Sequence, residues 1–219
     1  MNFLQNDTFL TRALTRLTDV VILSALWFLT SIPLVTLGAS TTALYDVTLQ
    51  MAWGEHPGIL STYFSSFKKN FLRSTAVFLV LLAAGLFLAA DLWCALRWDV
   101  PFQFALEVLI LSAGFFYLIL LTHAFPALAF YEGKPSRILK TVFLRSIGRG
   151  IYTIFVVVLS VFPVLFLIQR ITAPSFGQWL MLFLLVGNGT IAYFNSIQLA
   201  RLFDPERMRN MPEGSAGKE

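Results

Sequence analysis

The chain has 219 residues, of which 57% are hydrophobic and 13% charged, with 22 Phe, 5 Trp and a formal net charge of +4. Ordinary soluble domains carry about 25% charged residues, so a water-soluble globular fold is excluded: too little polar surface remains to cover a core of this size. The single Cys94 lies in an apolar Leu-Trp-Cys-Ala context, which excludes an internal disulfide and a cysteine-rich metal site and leaves an inert thiol.

Five stretches contain no Asp, Glu, Lys or Arg: Val20–Tyr45, Ser74–Ala90, Val108–Tyr131, Gly150–Gln169 and Ile171–Ala200. A helix rises about 1.5 Å per residue, so about 20 apolar residues cross the hydrocarbon of a bilayer. These runs are continuous rather than alternating, which selects helices over a transmembrane β-barrel. The expected fold is all-α: a polytopic helical membrane bundle forming one domain over residues 1–205, with a polar cytoplasmic tail over 206–219.

Before the first run, Phe3, Leu10, Leu14 and Leu17 recur at helical spacing with Thr11, Arg12, Thr15 and Arg16 between them. That pattern fits either an amphipathic surface helix or a polar start to the first membrane helix, and not a cleavable export signal. Within the first run, Ser31-Ile32-Pro33 should break the helix, since proline lacks a donor and clashes with the preceding turn. Gly38 then permits a reversal, and Ser40-Thr41-Thr42 offers hydroxyls to cap a new helix. The second arm, Ala43–Trp53, carries Asp46 and Gln50 and is expected to return inside the bundle, where protein surrounds it.

Positive charge accumulates on cytoplasmic loops. If Val20–Trp53 forms such a broken hairpin, 14 of the 16 basic residues fall on one side and only Arg97 and Arg170 on the other. Five simple crossings would divide them 12 to 4. The expectation is therefore a Pro/Gly-broken first hairpin, four further spans, and both termini cytoplasmic in a bacterial cell membrane. Two basic loops also resemble each other, Phe67–Arg73 and Phe143–Arg149, each preceded by a proline (Pro57, Pro135) and followed by a span. Both are expected to form amphipathic helices on the cytoplasmic surface, apolar face in lipid and Lys/Arg toward anionic headgroups. Pro33 and Pro126 loosely extend the match into an internal repeat of the kind common in transporters.

Chemistry is sparse. No metal-binding or phosphate-binding motif is present, and the two histidines are 67 positions apart. His123 is expected to make an interhelical hydrogen bond, and His56 to be solvated. An intramembrane nucleophile at Ser40 would need His123 as its base, and nothing in the spacing joins them. Asp91 and Glu107 flank the outer turn, where water and Arg97 can satisfy them. Asn188 and Asn195 are seven apart on one helix face, and their amides suit bonds across a helix contact. No catalytic residue, cofactor or metal is assigned. The basic charge is explained by topology and headgroup contact rather than by nucleic acid.

Leu26-Trp27-Phe28-Leu29, followed by Ser31-Ile32-Pro33-Leu34-Val35-Thr36-Leu37-Gly38-Ala39-Ser40-Thr41-Thr42-Ala43-Leu44-Tyr45, resembles the signature of the YesL-type family of bacterial integral membrane proteins. Pro33, Thr36, Gly38, Ser40, Thr41, Thr42, Tyr45 and the following Asp46 make up the hairpin that carries the likeness. Tyr63–Arg73 fits as well, while Ser24 and Ala25 stand where members usually have an Asn. The resemblance implies an accessory role in oligosaccharide uptake by ABC systems, by association of genes rather than by any known site. The leading expectation is a non-enzymatic accessory protein that binds a carbohydrate permease or its ATPase through the loop Tyr131–Gly150. There Glu132 and Gly133 precede an amphipathic helix bearing Arg137, Lys140, Phe143 and Arg145, as in a permease coupling helix, although the glycine-to-phenylalanine spacing differs. The alternative is an independent small-solute transporter or channel; a homo-oligomer is compatible with either.

Overall fold

The computed structural model describes residues 9–97 and 102–203, with side chains omitted at 9–13 and at 202. Residues 1–8, 98–101 and 204–219 lie outside the described residues. The described elements are helical, and five of the helices are long and apolar enough to cross a membrane.

Helix α1 (Phe9–Ser31) runs without interruption through the amphipathic start into the first apolar run. It stops at Ser31. Pro33 is extended (φ −75°, ψ 113°), a single 3-10 turn covers Leu34–Thr36, and α2 (Leu37–Ala52) follows. Proline's fixed φ and missing N–H account for the stop. The Thr36 hydroxyl reaches the carbonyls of Thr30 and Pro33, tying the broken ends together.

α2 is the interior element. Eleven of its 16 residues are buried, and it packs against α1, α3, α4 and α8. The other helices carry the outward surface instead: Leu72, Phe104 and Ile151 are each at least 80% exposed. Side chains of that kind, spread over the outside of long helices, are what a hydrocarbon solvent requires.

α3 (Ile59–Ala95) is one continuous helix of 37 residues, about 55 Å long against about 30 Å of hydrocarbon. The expected surface helix at Phe67–Arg73 is therefore corrected: it is the first part of a rod that continues into the span. A charged-to-apolar boundary does not interrupt backbone hydrogen bonding, so nothing ends the helix there. α4 (Gln103–Phe130) keeps Pro126 inside it. α5 (Pro135–Gly148) and α6 (Gly150–Gln169) are separate helices joined at Arg149. Gly148 and Gly150 flank that joint, and glycine is the weakest helix former after proline. The internal repeat thus fails in structure. Its first half is one helix and its second half two, and Pro33 ends a helix while Pro126 does not.

The last crossing is built from α7 (Phe176–Leu182), a π-helical segment at Phe183–Gly187, and α8 (Asn188–Phe203). A π turn widens the helix and shifts its hydrogen bonds. Just beyond it, the Gly189 N–H donates to Ser24 Oγ of α1 at 3.0 Å. A Cβ on Gly189 would stand 2.6 Å from the Val20 carbonyl, so the two helices cross closely only because that residue is glycine.

Candidate functional site

Two regions bring polar chemistry together: the lining of α2 and the basic end of the bundle. Along α2 each serine and threonine hydroxyl donates to the carbonyl four residues earlier: Ser40 to Thr36 (3.0 Å), Thr41 to Leu37 (2.7 Å), Thr42 to Gly38 (2.9 Å) and Thr48 to Leu44 (3.0 Å). Satisfied within its own helix, a polar segment can sit inside an apolar bundle at little cost. This corrects the capping role expected for Ser40-Thr41-Thr42, because α2 begins at Leu37 and all three lie within it.

Gly38 is corrected in the same way. It is helical, and positive φ among the described glycines occurs only at Gly54 and Gly133. A Cβ at Gly38 would meet the Ser74 carbonyl oxygen at 2.5 Å and Phe78 Cβ at 2.7 Å. Its function is close approach between α2 and α3, not reversal.

The α2 hydroxyls also reach outward. Thr42 Oγ1 lies 2.8 Å from Ser74 Oγ of α3, Thr48 pairs with Ser196 of α8 (2.7 Å), and the Trp27 indole of α1 donates to Thr41 (3.1 Å). Tyr63 is fully buried, its hydroxyl 2.7 Å from Thr30 Oγ1 and 3.4 Å from the Ser40 carbonyl. Asn195, also fully buried, donates through Nδ2 to Ser160 of α6 (2.8 Å) and lies 3.4 Å from the Tyr45 hydroxyl. Asn195 Oδ1 and Asn188 Nδ2 are buried with no hydrogen-bond partner among the described atoms. The two asparagines therefore differ: Asn195 bridges helices, whereas Asn188 follows the π segment unbonded through its amide nitrogen.

His123 is buried, with Nδ1 2.9 Å from the Ile119 carbonyl and 3.1 Å from Thr122 Oγ1. Those bonds lie within α4 rather than between helices, because the i−4 carbonyl is the nearest acceptor. Ser40 and His123 are thus engaged with separate backbone carbonyls. Among the described residues, no group of three or more His, Cys, Asp or Glu gathers to hold a metal.

The basic end is held by arginines on helix termini. From α3, Arg73 Nη2 donates to the Leu128 carbonyl (2.5 Å), to Asn70 Oδ1 (2.7 Å) and to the Tyr131 carbonyl (3.3 Å). The last carbonyls of a helix lack partners and carry its negative dipole end, so a guanidinium there stabilises both. Arg149 does the same for α8, donating to the Arg201 carbonyl at 2.7 Å. Arg145 donates to the Tyr131 hydroxyl (2.7 Å), and that hydroxyl lies 3.4 Å from the Phe203 carbonyl. Glu132 pairs with Lys69, and this hydrogen bond, then the lysine's charge, holds its carboxyl below the usual range. The pair is exposed, so it orients the loop more than it stabilises the fold. Gly133, at φ 126°, takes a conformation that L side chains rarely adopt.

Of the α5 side chains, Ile138, Val142 and Ser146 are buried at i, i+4, i+8, and Phe143 packs edge-on against Phe116 of α4 at 6.0 Å. Arg137 and Lys140 point outward, exposed. At the opposite end of the bundle, Arg97 lies over Trp93 (4.2 Å) rather than serving Asp91, and Arg170 over Phe166 (5.4 Å). Glu107 instead accepts from Gln103 at 3.0 Å. Arginine on aromatic rings at the ends of spans is typical of a membrane–water interface. Sequence reasoning missed the terminus-binding role of Arg73 and Arg149. Their positions one step before an apolar run were the only signal.

Long apolar helices, a polar helix enclosed among them and charge gathered at the ends define a polytopic α-helical membrane protein. Residues 20–92 match the family described as "Protein of unknown function, DUF624". The chain is also similar to "Uncharacterized protein YesL" of Bacillus subtilis (strain 168), 25% identical over 179 residues that cover 80% of this chain and 84% of that one. Both matches are to uncharacterised proteins; the family model covers the first hairpin and most of α3, and the likeness to the bacterial relative extends over most of the chain. No solved structure matches it.

Proposed function

We propose that the protein is a non-enzymatic accessory subunit of carbohydrate ABC uptake that binds the permease or its ATPase through α5. In this reading α1 and α2 form a broken hairpin, four spans follow, and both termini face the cytoplasm together with the basic end. The observation that carries it is the division of labour on α5 and the loop before it. Arg145 and Glu132 are engaged in holding the loop to the bundle, whereas Arg137 and Lys140 are exposed on a helix whose other face is anchored. The carbohydrate partner comes from the family resemblance, a likeness of context rather than of site.

The test is co-purification. Tagged protein isolated in mild detergent from cells grown on oligosaccharides should bring down a sugar permease or its ATPase at near-stoichiometric yield. Arg137→Glu with Lys140→Glu should reduce that yield by about tenfold or more, since like charges facing a complementary surface cost several kcal/mol. Wild-type recovery of the partner by the double variant would rule out docking through α5. A second reading, an independent transporter or channel, is favoured by the buried unpartnered amide atoms of Asn188, directly after the π segment, and of Asn195 further along α8. A partnerless homo-oligomer in the same pull-down would favour that reading.

A further inference from the structure

The last crossing changes its hydrogen-bond register where α7 gives way to α8. The Asn188 N–H donates to the Phe183 carbonyl, five residues back. The next donor leaves the helix, since the Gly189 N–H goes to Ser24 Oγ of α1 at 3.0 Å. In an uninterrupted α-helix these two donors would take the carbonyls of Leu184 and Leu185. The same two N–H groups therefore have acceptors in either register, and neither register leaves a buried donor orphaned.

Packing differs sharply on the two sides of this junction. None of the residues of α7 or of the π segment is buried, whereas Ala192, Asn195, Ser196, Leu199 and Ala200 beyond it are. The Trp179 ring of α7 meets Phe166 of α6 edge-on at 5.5 Å. Turning α7 against α8 would shift that contact and draw no side chain out of the core. Asn188 stands at the junction with Nδ2 buried and unpartnered, a donor placed where a backbone carbonyl is released as the register changes.

We propose that the π segment is a two-state register switch, held in its π form by Ser24 of α1. Passage to a continuous α-helix turns α7 by about 100°, one residue's step, while α8 stays packed on α2. The Gly189 N–H then returns to its own helix, and the Ser24 hydroxyl keeps its bond to the Val20 carbonyl (2.9 Å). Because α1 leads through the break at Pro33 into α2, the state of the last crossing is tied to the enclosed polar helix. Two discrete arrangements that exchange one set of donors form a bistable element of the kind that conformational switching requires.

The experiment uses the full chain in detergent with Cys94→Ser. Nitroxide labels are placed at Phe87→Cys on α3 and at either Met181→Cys or Leu182→Cys on α7, all exposed positions, and electron spin resonance reads the distance between them. Ser24→Ala removes the outside acceptor of the Gly189 N–H and should populate the α register. Residues 181 and 182 lie about 100° apart around the helix, so a rotation moves their labels by unequal amounts, by up to about 8 Å at the helix surface. Deleting Leu184 takes the additional residue out of the π turn and leaves one register, so Ser24→Ala should have no effect in that background. The two label positions decide the matter without the deletion variant should it fail to fold. Unchanged distances from both positions in Ser24→Ala, an equal shift at both, or the same shift with Leu184 deleted would overturn the proposal.

Discussion

Gly38→Ala should lower the unfolding temperature of the detergent-solubilised protein clearly, for a loss of about 1–3 kcal/mol. The added methyl would stand 2.5 Å from the Ser74 carbonyl oxygen and 2.7 Å from Phe78 Cβ. Neither atom is the free end of a flexible side chain, so α2 and α3 must separate. That separation also stretches the Thr42–Ser74 hydrogen bond one turn away. The control is Gly114→Ala in α4, where a Cβ meets nothing within 4 Å. Relief of glycine's backbone entropy should leave that variant neutral or more stable by up to about 1 kcal/mol. Equal melting of the two variants would mean that α2 and α3 do not meet at Gly38.

Arg73→Met should destabilise the junction of α4 and α5 more than any other single charge removal at the basic end. The arginine reaches two carbonyls near the end of α4 and Asn70 with one nitrogen, and the Gly133 carbonyl at 3.5 Å with the other. Hydrogen bonds to a charged group contribute about 1.5–3 kcal/mol each when buried. Arg73 is half-buried, so a total of about 2 kcal/mol is expected after that discount. Methionine keeps the apolar stem, so the loss isolates the guanidinium. Hydrogen exchange should rise at residues 128–134 while α6 is unchanged. Arg73→Lys should recover part of the loss only, since a lysine ammonium is a compact point charge without the planar fork that spans these acceptors. Unchanged exchange at 128–134 in the methionine variant would show that the carbonyls have other partners.

The spans were legible because excluding charge from about 20 successive residues has few other causes. The stop at Ser31 was legible because Pro33 acts through its own ring and missing donor. Other features were ambiguous in principle. Gly38 lacks a Cβ whether the chain needs a turn or two helices need to touch, and sequence alone does not separate these. Ser40, Thr41 and Thr42 can cap a helix or bond back to the i−4 carbonyl inside one, and the helix begins at Leu37.

The boundary at Arg73 marks where charge ends, and in sequence that looks like a helix end. Backbone hydrogen bonding is indifferent to that change, and α3 runs on. The same reading held at Arg149 for a different reason, the glycines on either side of it. In sequence Arg73 and Arg149 show only as topology charges, because their carbonyl partners lie more than fifty residues away in the chain.

The central claim is that α1 and α2 form a broken hairpin, so that the chain enters and leaves this region on the cytoplasmic side. Single cysteines in a Cys94→Ser background, probed with a membrane-impermeant maleimide, test it directly. Leu14→Cys, His56→Cys and Lys140→Cys should react only when the cytoplasmic face is opened, and Thr172→Cys in intact cells. Reaction of Leu14→Cys in intact cells while His56→Cys stays protected would mean that this region crosses once, and would contradict the account.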